Sequence, residues 1–101
     1  ERTFRENISD LDWLRTVLHR LRQEVAEAVE RKGKHEVKSR VLKLKFADFT
    51  QPTAEKAGSE MSGEVYEELL KVAWKRGEGK AVRLLGVGVK FDEEGDQLDL
   101  W

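Results

Sequence analysis

The sequence predicts an α+β fold, a βαββαβ two-layer sandwich in which a four-stranded, antiparallel-rich sheet carries two helices on one face. A length of 101 residues suits one core built from two layers and is too short for two cores. The apolar period also changes along the chain, from three- and four-residue spacing over residues 11–29 to alternation after residue 37, and a second stretch of helical spacing after residue 62 gives way to a Val- and Leu-dense run whose alternation is ambiguous because both phases contain aliphatics. There is no internal repeat and no low-complexity linker to divide the chain.

A short extended start around Arg2 to Arg5 leads to Ser9, expected as a helix N-cap because Asp10 and Asp12 follow it in the first turn. Leu11, Leu14, Leu18, Leu21, Val25, Ala28 and Val29 then form one apolar stripe, with Arg15, Arg22, Glu24, Glu27, Glu30 and Arg31 opposite, until Gly33 ends the helix. In residues 37–49, VKSRVLKLKFADF, Leu42, Leu44 and Phe46 alternate with Val41, Lys43 and Lys45. The first set is therefore expected in the core and the lysines together on the other sheet face. Gln51-Pro52-Thr53 reads as a turn or edge entry, and residues 54–61 as an edge strand. Ser62 caps a second helix whose inner face is Val65, Tyr66, Leu69, Leu70, Ala73 and Trp74, and RGEGK closes it. AVRLLGVGVKF, dense in Val and Leu, reads as a central strand.

Composition excludes several function classes. With no cysteine, disulfides and thiolate zinc sites are ruled out. No segment reaches the roughly 20 apolar residues of a membrane span, and the charged start ERTFREN is unlike a signal peptide, so a cytoplasmic monomer is expected. The net charge of −1 conceals an uneven distribution: Asp92, Glu93, Glu94, Asp96 and Asp99 contribute −5, which leaves +4 on residues 1–91. Lys34, Lys38, Arg40, Lys43 and Lys45 are opposed locally by Glu36 alone, a basic stripe that fits either a polyanion partner or a solvated strand face.

No catalytic constellation is present. His19 on the first helix and His35 in a turn lack metal-ligand spacing. Gly86-Val87-Gly88 lies inside an apolar strand and has no third glycine opening a helix, so it marks a bulge or a close backbone approach rather than a phosphate loop. Asp48 in FADF reads as a turn acceptor, since two-metal chemistry needs several convergent carboxylates. Binding is the chemistry left: Lys43 and Lys45 on one strand face stand about 7 Å apart, near the spacing of successive phosphates, and Arg83 extends that surface if its face points outward.

Taken in order, ERTF, VLKLKFADFTQPT, VRLLGVGV and QLDLW resemble the C-terminal little finger domain of Y-family translesion DNA polymerases of the bacterial polymerase IV type, across essentially the whole chain. The resemblance implies a domain over residues 1–91 whose open sheet face lies on primer-template DNA. DNA contacts are then implied at Thr3, Lys43, Lys45, Thr53, Lys56 and Arg83. Lys45 stands where relatives commonly have Arg, in KLRYADF, which keeps the charge and loses the planar fork. Thr53-Ala54-Glu55 replaces a common TRS, exchanging a positive contact for a methyl and an acid, with Lys56 next in line to compensate.

The palm, fingers and thumb, with the Mg and dNTP expected of a parent polymerase, lie outside such a domain. No cofactor and no catalysis are expected of the domain alone. Residues 92–101 are expected as a flexible acidic tail ending in a sliding-clamp peptide, with Gln97 at a pocket rim and Leu98, Leu100 and Trp101 as anchors. A protein-interaction module acting only through that peptide is the alternative reading.

Overall fold

The computed structural model describes residues 2–32, 36–91 and 97–99. Its elements are β1 (Arg2–Ile8), α1 (Leu11–Lys32), β2 (Val37–Phe46), β3 (Thr53–Ala57), α2 (Gly63–Arg76), β4 (Val82–Phe91) and β5 (Gln97–Asp99). The expected βαββαβ order is present, and three residues expected as part of an extended tail add a short fifth strand. The expected anchors Leu100 and Trp101, the acidic residues 92–96, and Lys34 and His35 lie outside the described residues.

All pairings are antiparallel, in the order β1-β4-β2-β3. Thus β2 and β4 are central, β4 as the Val- and Leu-dense VRLLGVGVKF suggests. β2 takes one edge of β4 along its length. β1 and β5 share the other, β1 beside Val82–Leu85 and β5 beside Gly88–Lys90.

Both helices pack on one sheet face, α1 over β4 and β1, α2 over β2 and β3. Leu14, Leu18, Leu21 and Val25 of α1 meet Leu85, Val87, Val89 and Phe91, while Tyr66, Leu69, Leu70 and Ala73 of α2 join Leu42, Leu44, Phe46 and Ala54 in the same core. Val17, outside the stripe read from sequence, is also buried. It falls one turn before Leu21 and joins the same core.

Two local readings change. The α1 cap is Asp10, not Ser9: its Oδ1 accepts from the amides of Asp12 at 2.9 Å and Trp13 at 3.3 Å. Ser62 does cap α2, accepting from Val65 N at 3.4 Å. Gly86 and Gly88 run in regular register opposite Lys43 and Val41, and the β2–β4 irregularities fall instead between Val37 and Ser39 and between Lys45 and Phe46. The glycine demanded by packing is Gly77 at the end of α2, where a Cβ would come within 2.3 Å of the buried Phe46 ring.

Candidate nucleic-acid interface

The helix-free face is built in cross-strand rows, since directly paired residues project their side chains to the same side. One row is Thr3–Leu84–Lys45, the next Gly86–Lys43–Thr53, then Gly88–Val41–Glu55, and finally Lys90–Ser39–Ala57. Their alternates, Leu42, Leu44, Phe46, Ala54, Leu85, Val87 and Val89, are in the core. Alternation along β2 therefore does what the sequence led us to expect, placing both lysines on the bare face.

Arg83 sits in the irregularity between Lys45–Leu84 and Phe46–Val82, where one extra β4 residue opposes β2. That answers the ambiguous alternation of VRLLGVGV: Arg83 is exposed, and its guanidinium lies 4.7 Å from the ring centroid of Phe49. Lys45 Nζ lies 5.1 Å from the same ring. The structure so brings Thr3, Lys43, Lys45, Thr53 and Arg83 to one end of one face.

Two other cations go elsewhere, Lys56 of the implied DNA contacts and Arg40 of the basic stripe. Lys56 is paired with the helix-side residues of the hairpin, and its Nζ meets Glu68 of α2 at 2.9 Å. Arg40 is only 3% exposed and lies on the helix side. Its guanidinium donates to the carbonyl oxygens of Lys56 at 3.3 Å and Ala57 at 3.0 Å, and also to that of Glu60, tying down the segment between β3 and α2.

Of the two residues replacing the common basic position, Ala54 is buried in the core and Glu55 alone reaches the bare face. Glu55 is held there by Lys90 at 2.7 Å and Ser39 at 2.9 Å, and these hydrogen bonds keep its carboxyl below the ordinary glutamate range. The acid is thereby compensated within the sheet. The face is polarised along its length, with cations at the Lys45 end and a neutralised pair at the Lys90 end.

The turn after β2 borders the cationic end. Asp48 Oδ1 accepts from Thr50 N at 3.1 Å and Thr50 Oγ1 at 2.7 Å, while Oδ2 meets Lys80 at 2.7 Å. The Lys80 hydrogen bond, then those from Thr50, hold this carboxyl far below the usual range. As the sequence suggested, Asp48 is a turn acceptor. Phe49 was missed by sequence reasoning, although an aromatic residue between an Asp and a Thr in a tight turn has nowhere to bury its ring. It is 57% exposed.

Among the described residues no group of three His, Cys, Asp or Glu side chains is placed to hold a metal ion. His19 faces Glu67 at 3.6 Å. No described helix is long and apolar enough to cross a membrane.

Comparison with known proteins gives a consistent picture. The model of the impB/mucB/samB family C-terminal domain matches residues 1–100. DNA polymerase IV of Shewanella sp. (strain ANA-3) is 38% identical over 99 residues, covering 97% of this chain and 28% of the relative. DNA polymerase IV of Shewanella frigidimarina is 39% identical over 90 residues, 88% of this chain and 25% of the relative. The chain thus spans little more than a quarter of these curated relatives.

A solved complex of the beta-clamp processivity factor and the little finger domain of PolIV superposes with a TM-score of 0.77 at 28% identity, over 87% of this chain and 81% of that one. A Dbh ternary complex shares the fold, with a TM-score of 0.67 at 20% identity over 96% of this chain and 27% of that one.

Proposed function

Because the chain belongs to the impB/mucB/samB family as its C-terminal domain, the little finger of a Y-family polymerase, we propose that its bare sheet face grips primer-template DNA through sequence-independent phosphate contacts. The observation that carries this reading is the gathering of Lys43 and Lys45, with Thr3 and Thr53, into two adjacent rows of one helix-free face, with Arg83 exposed at the irregularity beside the Lys45 row. Lysine rows lie about 7 Å apart in a strand, which matches the step of a phosphate backbone. The hydroxyls of Thr3 and Thr53 supply neutral donors at the flanks, which position a duplex without reading its sequence.

Lys56, engaged with Glu68 on the helix layer, contributes long-range charge rather than a contact on this face. Divalent metal, dNTP and templated nucleotidyl transfer are assigned to palm, fingers and thumb regions of a longer parent, a reading supported by curated DNA polymerase IV relatives of which this chain covers 28%. The domain's part is to hold DNA in register for that chemistry.

The test is a titration of primer-template DNA at several salt concentrations. Lys43→Glu with Lys45→Glu should weaken binding at low salt and flatten the salt dependence by roughly 0.9 log unit per lost phosphate contact, with the circular dichroism spectrum unchanged. Unchanged affinity would remove this face from the account.

A second activity is proposed for the C-terminus. Gln97, Leu98, Leu100 and Trp101 form a sliding-clamp peptide, a reading supported by the likeness to a little finger solved with its beta-clamp. Gln97–Asp99 pair by backbone with Gly88–Lys90. A three-residue strand at a sheet edge is a weak tie, so release of the peptide to a partner's pocket costs little.

A further inference from the structure

We infer that Phe49 is a positioning residue of the DNA-contact face, its ring holding the Lys45 ammonium and the Arg83 guanidinium side by side for adjacent phosphates; this rests on the phosphate-contact reading above. Phe49 has φ of 70°, the left-handed region that an aromatic L-residue enters only at a cost. It takes no part in the core and leaves 57% of its surface in water. A residue that is both strained and solvent-facing contributes little to folding, and such strain persists where a rigid frame imposes it for another purpose.

The frame here is well defined. Phe49 N donates to Phe46 O at 2.9 Å, Phe46 N to Thr50 O at 2.9 Å, and Ala47 N to Ala81 O at 2.9 Å, with the Asp48–Lys80 pair on the outside. These bonds fix where the ring stands. What stands against it are two cations from different strands, Lys45 Nζ at 5.1 Å and Arg83 Cζ at 4.7 Å from the centroid, and among the described residues neither has a carboxylate partner.

Two like charges gathered at one ring repel one another, and each side chain would otherwise sweep out many rotamers. The negative face of an aromatic ring relieves part of that repulsion and restricts both side chains without neutralising them. A carboxylate in the same place would hold the cations equally well and cancel their charge toward DNA. An aromatic clip keeps both charges available. Cations ordered before binding lose less freedom on contact, and that difference appears as affinity.

The test is a double-mutant cycle on the 101-residue chain, read by fluorescence anisotropy with a labelled primer-template duplex at low ionic strength. Phe49→Ala should weaken binding by roughly three- to tenfold, Phe49→Tyr should restore it, and Phe49→Ala should have little further effect in a Lys45→Ala/Arg83→Ala background. Phe49→Gly, which suits the positive φ, should lose the same affinity while its melting temperature stays level or rises by about 2–5 °C.

Equal losses from Phe49→Ala in both backgrounds would overturn the inference, showing that the ring touches DNA itself. No loss from Phe49→Ala beside a clear loss from Lys45→Ala/Arg83→Ala would overturn it while leaving the phosphate-contact face standing. No loss from Lys45→Ala/Arg83→Ala would overturn both.

Discussion

Replacing Arg40 by methionine separates the cations that build the fold from those that face outward. Arg40 is 3% exposed and donates to three carbonyls, those of Lys56, Ala57 and Glu60, while its guanidinium packs 2.9 Å from where a Cβ on Gly58 would stand. A buried hydrogen bond from a charged donor contributes ~1.5–3 kcal/mol net, yet three such bonds do not add here. The carbonyl owners are exposed residues that water can reach, and removing the guanidinium also removes its desolvation cost. The expected loss is therefore roughly 2 kcal/mol, or about 10 °C in a domain of this size.

Differential scanning calorimetry of Arg40→Met beside Lys38→Met, an exposed cation of the same strand, gives the comparison. Lys38→Met should stay within ~0.5 kcal/mol of the parent. DNA affinity of Arg40→Met should stay within about twofold, as expected for one distant charge. A melting temperature for Arg40→Met within about 2 °C of the parent would refute the reasoning, because it would mean the clamp on the β3–α2 segment holds nothing.

Other expectations follow from particular contacts. Gly77→Ala should destabilise by about 1–3 kcal/mol in urea unfolding, since the added methyl meets the fixed Phe46 ring at 2.3 Å. Tyr66 is fully buried and its hydroxyl donates to Gly88 O at 3.0 Å; burial pushes its pKa above the ordinary tyrosine value. The folded state therefore keeps a proton that the unfolded state loses, so stability holds below about pH 10 and falls as pH rises beyond it. Tyr66→Phe should flatten that alkaline limb. Glu55 has the opposite sign: its lowered pKa stabilises the fold above the ordinary carboxylate range and is lost as pH falls through the folded value, so Glu55→Gln should lessen the acid dependence of the melting temperature. Deleting residues 97–101 should abolish binding to a sliding clamp in surface plasmon resonance and leave DNA affinity intact; loss of both would show that β5 supports the sheet.

Strand parity explains why much of this was legible beforehand. In β2 the side chains of Leu42, Leu44 and Phe46 must face away from those of Lys43 and Lys45, whatever the rest of the chain does. Helical spacing likewise obliges Leu14, Leu18, Leu21 and Val25 to share a side. These constraints are local, so element order, the inner faces of both helices and the grouping of the two lysines follow from amino-acid type and position alone.

Parity between strands is a different matter, because hairpin offset and bulges set it. The pairing Lys43–Thr53 puts Thr53 and Glu55 on the bare face and sends Lys56 to the helices. Nothing in Thr-Ala-Glu-Lys states that offset. Arg83 turns outward because an irregularity intervenes between Leu84 and Val82, a consequence of two strands meeting. Arg40, counted from sequence in the basic stripe, obeys its strand's alternation and is buried where three distant carbonyls receive it.

The sequence by itself thus determined which residues share a face within each element, since covalent geometry enforces that. Only the tertiary structure decided which faces meet, which cations are consumed in holding the layers together, and that Lys45 and Arg83 both lie against the Phe49 ring. Those outcomes depend on contacts between residues far apart in the chain, whose energies no local pattern encodes.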